Sequence, residues 1–318
     1  MNAPTTREAS CCPLCGEAHF TLGRLDLLRC EVCGLVVSPA IWKQDVIEQV
    51  NDQWFGEGYE QRKSSVWVKW FEAHNNRRTL SRLTRLTLAG KRLLEIGVGS
   101  GSFLGVARAA GFEAMGCDLS RAICRRVEST LHVPMHCGSL DTLPGDMRFD
   151  VVVMNHVLEH VQEPVPFLRE VCRLLAPGGY VHVAVPNIVC WEAKLSGWTS
   201  YEPYHVTYFD RETLQRAITA AELRPISVVT HESFSGWFLA VLRTVLGVNR
   251  PQGAVVQQRA AVSSNAAKGR PAVIEHAYRA AMVLAGGGLW PIRSLQAALG
   301  RGDELLCIAR KPPVNGER

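Results

Sequence analysis

No run in this 318-residue sequence is both apolar and charge-poor over the length that a bilayer-crossing helix needs. The first residues also lack a basic segment followed by an apolar one, so a secretory leader is not expected. Positive charge is scarce in an informative place. Residues 1–242 carry 24 Lys and Arg against 26 Asp and Glu, whereas residues 243–318 carry 11 against 4. A protein that tracks nucleic-acid phosphates needs a basic reading surface, and the first three-quarters of the chain does not supply one. Disulfides are a third expected absence. Of the 11 cysteines, Cys117, Cys124, Cys137, Cys172, Cys190 and Cys307 fall singly in segments that read as strands or helices, where buried thiols are the expectation. A cytoplasmic globular protein fits, since 47% hydrophobic and 20% charged residues can build a sizeable core.

What is present begins with the other cysteines. Cys12-Pro13-Leu14-Cys15-Gly16 and Cys30-Glu31-Val32-Cys33-Gly34 are two Cys-x-x-Cys pairs with 14 residues between them. That spacing supplies four thiolates for a tetrahedral zinc ion, and a glycine after each pair suits the tight turn that aims both sulfurs inward. Four protein ligands leave no open position, so the zinc is expected to be structural. Phe20-Thr21-Leu22 and Leu27-Leu28-Arg29 can pair as the hairpin between the knuckles. A disordered tail is expected over 1–10 and a zinc ribbon over 11–38, with Cys11 as a spare thiol.

The stretch from Arg92 to Phe103 organises the rest. Leu93, Leu94 and Ile96 form a short apolar run typical of a buried parallel strand. Gly97, Gly99 and Gly101 follow, and the residues from Phe103 to Ala110 read as a helix ending at Gly111. Strand, glycine loop and helix N-terminus make a nucleotide-binding crevice of the doubly wound type. Residues 111–117 read as a second strand with Asp118 at its end, where an acid can accept hydrogen bonds from ribose hydroxyls. Further strands are expected at Val133–Cys137, Phe149–Met154, Tyr180–Val185, Ile226–Thr230 and Glu304–Arg310.

Glu95-x-Gly97-x-Gly99-x-Gly101, Asp118, Asp150, Val157-Leu158-Glu159-His160 and Leu175-x-Pro177-Gly178-Gly179 occur in that order. As an ordered set they resemble the class I S-adenosylmethionine-dependent methyltransferases, over about residues 90–230. The resemblance implies an α/β, doubly wound, Rossmann-like seven-stranded sheet, here with a small zinc ribbon before it and a helical insertion before the last strand. It implies S-adenosylmethionine as cofactor, held by Glu95, Gly97, Gly99, Gly101, Asp118, Leu119, Ser139, Leu140 and Asn155. Family members commonly have Asp where Ser139 stands, so that contact is a departure. The segment before the first strand often closes over the cofactor, which makes Tyr59 a candidate.

Residues 39–90 are expected to form a helical linker and cofactor cover, 91–230 the cofactor-binding core, 231–303 a helical insertion, and 304–318 the last strand and tail. Within the core, His156-x-x-Glu159-His160 matches an inverted zinc-protease motif read alone, but it lies at a strand end rather than on a helix. His156, His160 and His205 are the candidate catalytic residues. His205 precedes Asp210, an expected N-cap of the helix Glu212–Ala221, and its imidazole would ordinarily titrate near neutral pH and take a proton from a hydroxyl acceptor.

Relatives with an N-terminal zinc ribbon often act in polysaccharide or secondary-metabolite pathways. The expected reaction is therefore methyl transfer to a small-molecule, sugar or lipid-linked glycan acceptor, usually at oxygen. The alternatives are an rRNA base methyltransferase that reads RNA with its ribbon, and a quinone-type O-methyltransferase, which needs no ribbon. Nucleic acid is not the expected partner on charge grounds. The basic C-terminal quarter and the apolar segments within 234–300 fit either a helical lid or peripheral contact with an anionic membrane surface.

Overall fold

The computed structural model describes residues 5–6, 11–41, 66–202, 204–232, 236–247 and 288–313. Tyr59 and residues 248–287 of the insertion lie outside the described residues. The cysteine segment contributes three short antiparallel strands, β1 (Phe20–Leu22), β2 (Leu28–Cys30) and β3 (Val36–Val37). The main sheet then runs through β4 (Arg92–Ile96), β5 (Glu113–Asp118), β6 (Met135–Cys137), β7 (Phe149–Asn155) and β8 (Leu175–Pro186). Strand β9 (Thr207–Tyr208) leaves that sheet and pairs with β3, so the core of the chain completes the ribbon's sheet. The main sheet closes with β10 (Arg224–His231) and β11 (Glu304–Arg310).

Its seven strands lie in the order β10-β11-β8-β7-β4-β5-β6. β11 alone runs against the other six strands, antiparallel to β10 and β8; β8-β7, β7-β4, β4-β5 and β5-β6 are parallel pairs. Chain order reverses between β4 and β7, and the crevice beyond their C-terminal ends is where an open α/β sheet binds ligands. The Leu175–Gly179 segment differs from its expected role as a lead-in. It belongs to β8 itself, with a register shift between Leu175 and Tyr180 that absorbs Pro177-Gly178-Gly179 as a bulge.

Both faces of the sheet are covered, which is why the central strands read as nearly continuous apolar runs. Alternation sends Leu94, Ile96, Val152 and Met154 to one face and Leu93, Val151 and Val153 to the other. The second face packs on α1 (Val66–Leu83), α2 (Ser102–Ala109) and α3 (Arg121–Leu131), through residues such as Leu83, Phe103, Leu104, Ile123 and Val127. The first packs on α4 (Pro164–Leu174) and α5 (Arg211–Ala220) and is continuous with the ribbon's Leu35 and Val37. Asp210 caps α5 in a reciprocal capping box with Thr213. Two helices of the insertion are described, α6 (Gly236–Val245) and α7 (Trp290–Ala298). Gln296 of α7 binds Glu192 Oε2 at 2.6 Å and accepts from Trp237 Nε1 at 2.7 Å, which docks both helices on the core.

Leu94 is fully buried at the centre of the sheet. Leu94→Ala should cost about 2–5 kcal/mol, read as a lowered urea midpoint with an unchanged denaturant slope.

Candidate active site

The crevice is built from the glycine loop outward. Gly97 has φ of +70°, and an added Cβ would meet Val157 Cγ2 at 2.5 Å, so the turn out of β4 excludes any side chain. Gly101 stands at the N-cap of α2 and offers no capping side chain. Glu95 reaches from β4 to the N–H of Leu104 in the first turn instead. Its other oxygen, Oε2, is buried with no partner. Burial and the nearby Asp118 push the Glu95 carboxyl well above its ordinary range. Asp118, at the end of β5, accepts from Ser120 N–H at 2.9 Å and Gly99 N–H at 3.4 Å, which aim its carboxylate across the loop. Ser139 donates to Asp141 Oδ1. Asp141 therefore returns a carboxylate to the wall where the serine departs from the family pattern, a contact two residues away that the sequence reading missed.

Glu95, Gly97, Gly99, Asp118, Ser139 and Asp141, with Leu119, Leu140 and Asn155, line one end of a cavity of about 1190 Å³, and Gly101 stands behind that wall rather than in it. The other end is lined by histidines and acids. Past β7 the chain turns at His156, whose φ of 56° is left-handed. A non-glycine residue there costs about 1–3 kcal/mol. The imidazole is gripped at both nitrogens, Nδ1 by Glu159 Oε1 at 3.1 Å and Nε2 by Glu304 Oε1 at 2.9 Å. The two carboxylates hold the His156 pKa well above its ordinary value, while 53% of the side chain stays exposed. Glu304 Oε2 also meets His231 Nδ1 at 3.2 Å, and Arg78 contacts the far side of that ring. His156 lines the cavity as an engaged cation rather than a free proton acceptor. Glu304, far away in sequence, carried no signal that it belonged here.

His160 and His205 face each other with ring centroids 4.8 Å apart. His160 Nδ1 lies 3.2 Å from Tyr204 O, and His205 Nδ1 lies 2.8 Å from Ser200 O. Carbonyl partners require each Nδ1 to carry the hydrogen, leaving Nε2 as the lone-pair nitrogen. His205 is buried, and that burial with His160 beside it pushes its pKa down to about 3. The expectation that it titrates near neutrality is thus corrected: the ring stays neutral across the physiological range.

The family described as "Methyltransferase domain" matches residues 71–228, which span α1, the glycine loop, Asp118 and the histidine wall. Residues 71–228 are a methyltransferase domain.

Curated proteins similar to it include the ubiquinone biosynthesis O-methyltransferase of Xanthomonas oryzae pv. oryzae, 28% identical over 135 residues, covering 37% of this chain and 56% of that protein. The protein of the same name from Caulobacter sp. is 36% identical over 110 residues, covering 32% and 44%. The chain thus spans about half the length of the curated relatives it matches. Among solved structures, a chain from the complex of the Haloferax volcanii Trm112 methyltransferase activator with its candidate methyltransferase aligns with a TM-score of 0.51 at 18% identity, covering 82% of this chain and 97% of that one. A candidate sarcosine dimethylglycine methyltransferase of Galdieria sulphuraria aligns with a TM-score of 0.51 at 13% identity, covering 76% and 86%. At those identities the likeness is one of fold.

Outside the methyltransferase domain, Cys12, Cys15, Cys30 and Cys33 place their four sulfurs within 4.8 Å of one another. Cys12 and Cys33 are 3.4 Å apart and Cys15 and Cys30 are 3.6 Å apart. The two knuckles have the same build. Gly16 N–H returns to Cys12 O and Gly34 N–H to Cys30 O, with both glycines at positive φ. Backbone N–H groups of Leu14 and Cys15 point at the Cys12 sulfur, and those of Val32 and Cys33 at the Cys30 sulfur. Burial pushes the Cys12 thiol up to about 11; at Cys30 the amides outweigh burial and bring it down to about 7.

The His156–Glu304 pair makes stability pH-dependent in a defined direction. The folded pKa of His156 is raised above 6.5, so its contribution is complete below 6.5 and fades as pH rises through the folded value. Glu304 is depressed below 4.5, so its contribution is complete above 4.5 and fades as pH falls through its folded value. Both contribute fully between those limits. Glu304→Gln should lower the His156 midpoint in a histidine NMR titration and flatten the alkaline loss of stability; an unmoved midpoint would refute the pairing.

Proposed function

We propose that this chain is an S-adenosylmethionine-dependent methyltransferase that methylates an oxygen of a small-molecule or glycan-type acceptor. The observation that carries this is one cavity joining the glycine loop and Asp118 to the histidine wall. Its volume of about 1190 Å³ exceeds the roughly 300–1,000 Å³ of a single ligand pocket, leaving room for cofactor and acceptor together. The residues suit the cofactor: an acid at the end of β5 for ribose, a loop with glycine at every other position, and the unpartnered Glu95 Oε2. When bound, S-adenosylmethionine supplies an activated methyl group, and transfer joins that carbon to the acceptor oxygen as the carbon–sulfur bond breaks and the hydroxyl proton departs. Asp118 holds the ribose, Asp141 and Leu140 flank the adenine, and Asn155 borders the methyl donor. His156, His160 and His205 form the acceptor wall, and positioning supplies most of the rate.

Oxygen is supported by the relatives named ubiquinone biosynthesis O-methyltransferase. A lipid-linked acceptor is supported by the exposed Val245 at the end of α6, Leu246 after it, and the exposed Trp290, Ile292 and Leu295 of α7, all within the basic C-terminal quarter. No described helix is long and apolar enough to cross a membrane, so contact would be peripheral. The domain limits at 38, 90, 230 and 303 belong to the same proposal.

In a transfer assay with radiolabelled S-adenosylmethionine and fractionated host extract, label should enter the glycan or lipid fraction; label in RNA would overturn the reading. Asp118→Ala should weaken cofactor binding roughly ten- to hundredfold, the scale of a lost hydrogen bond to a charged group, by calorimetry.

The four cysteines are proposed to hold one structural zinc. Sulfurs 3.4 and 3.6 Å apart approach the edge of a tetrahedron with zinc–sulfur bonds of about 2.3 Å, and converging amides stabilise thiolates. Cys12→Ser/Cys15→Ser should lower zinc content by one ion per chain and destabilise residues 11–38; unchanged zinc content would end the assignment.

A further inference from the structure

Two cysteines that methyl transfer does not use meet beside the cofactor end of the cavity. Cys137 ends β6 and is exposed, whereas Cys124 on α3 is buried at 4% exposure. Their side chains are hydrogen-bonded to each other. Strand alternation explains the meeting. An added Cβ at Gly116 would meet Met135 Sδ, Val98 and Leu104, so Met135 points to the face that packs on α2 and α3. Cys137, two residues on, points the same way. Cys117 lies in the core of the opposite face and turns its thiol to Gly138 O at 3.4 Å, so it is not the partner.

The pair is linked to the residues proposed to hold the cofactor. Cys124 Sγ lies 3.5 Å from Asp118 O and 3.8 Å from His136 O. Asp118 O also accepts from Gly138 N–H at 3.1 Å, and Asp118 and Cys137 are register partners between β5 and β6. The chain after Cys137 runs through Gly138, Ser139, Leu140 and Asp141, all of which line the cavity. From the same helix as Cys124, Arg126 donates to the carbonyls of Gly99 and Ser100 and so holds the glycine loop. The two sulfurs therefore join the helix that steadies the loop to the strand that leads into the adenine wall.

We infer that Cys124 and Cys137 form a reversible thiol–disulfide switch whose closure loosens the cofactor end of the cavity. The oxidant is hydrogen peroxide. Exposed Cys137 meets it first: its sulfur attacks one oxygen, the oxygen–oxygen bond breaks, and a sulfenic acid and one water result. Burial and the neighbouring Cys137 push the Cys124 thiol well up, so it stays protonated until Cys137 is oxidised. The Cys124 sulfur then bonds to the sulfenic sulfur and a second water leaves. Two thiols lose two protons and two electrons, and the peroxide becomes two waters. Thiols at rest and a transient disulfide suit a reducing compartment. Closure removes the Cys124 S–H from Asp118 O and draws the end of β6 towards α3, which shifts Gly138–Asp141 relative to Asp118. Linkage is reciprocal, so bound cofactor disfavours the disulfide by the same factor. The effect on the cofactor rests on the S-adenosylmethionine reading; the pairing of the sulfurs does not.

Trypsin places the three neighbouring cysteines on separate peptides, 109–121 with Cys117, 122–125 with Cys124 and 127–148 with Cys137. After brief treatment of the full chain with hydrogen peroxide and blocking of free thiols, mass spectrometry should find 122–125 joined to 127–148. Calorimetry of the same sample with S-adenosylhomocysteine should show affinity lowered at least roughly fivefold, the low end of coupling between two sites. Dithiothreitol should restore it. Cys137→Ser, altered at an exposed position, should bind as reduced wild type does and keep that affinity after peroxide. Absence of the joined peptide overturns the pairing. A joined peptide with unchanged affinity overturns the switch, as does a loss of affinity that persists in Cys137→Ser and so arises elsewhere, such as in the ribbon. Reduced wild type that fails to bind S-adenosylhomocysteine would sink the cofactor reading instead, and the peptide map would still decide the pairing.

Discussion

Val206 is held by two backbone hydrogen bonds on which the layout of the molecule depends. Its carbonyl accepts from Ser38 N–H at 3.0 Å, and its N–H donates to Glu159 O at 2.8 Å. One bond attaches the ribbon to the core and the other attaches the core's 205–208 segment to the turn after β7. Thr207 and Tyr208 then pair with Val37 and Val36. A segment of 28 or so residues is too small to bury a core of its own, and here it does not need to. Its Leu35 and Val37 join the main core on one side, and Val36 joins Trp198 and Tyr208 in a satellite cluster on the other. The ribbon is thus a brace for the wall that carries His205, a role that needs no contact with substrate.

The second constraint is electrostatic. The cavity's histidine end brings together Glu159, Glu304, His156, His231 and Arg78, and buried charges left alone there would be expelled. They persist because each carboxylate faces a ring nitrogen: Glu304 spans His156 and His231, while Glu159 holds His156 from the other side. Desolvation opposes ionisation of Glu159, Glu304 and Arg78, and partner charge wins at His156 and Glu304. At His205 no carboxylate is close enough to win, and burial keeps that ring neutral. Two histidines of one wall therefore have opposite protonation, which a shared set of neighbours can produce only through distance.

This also separates what could be read from the sequence from what could not. The sheet was legible because a parallel strand buried on both faces must be a short apolar run, and Leu93–Ile96 and Val151–Met154 are such runs. The glycine loop was legible because Gly97 has no alternative: Val157 fills the space where a Cβ would stand. The cysteine pairs were legible through spacing alone. Strand β9 was not, since two residues show no periodicity and their partner lies in the ribbon. The state of His205 was not, because burial belongs to the fold and not to the residue. Glu304 reads as the polar first residue of an apolar strand, and only the antiparallel insertion of β11 beside β8 and β10 brings it to His156 and His231.

That insertion has a further consequence through strand alternation. At the ends of β10 and β11, His231 is followed by Glu232, and Glu304 is preceded by Asp303. Successive side chains point to opposite faces of a sheet. His231 and Glu304 accordingly face the cavity, while Glu232 and Asp303 belong to the buried cluster that receives α7. There Arg293 lies 3.8 Å from Glu232 and donates to its backbone carbonyl, and Glu232 Oε1 accepts from Asp303 N–H. Burial and the acids Asp303 and Glu192 push the Glu232 carboxyl up to about 10, so it keeps its proton and the cluster needs no second cation. The two strand ends therefore serve the histidine wall on one face and the docked insertion on the other. A displacement of α7 that moved Glu232 or Asp303 would move His231 and Glu304 with them, because a single peptide bond joins each pair.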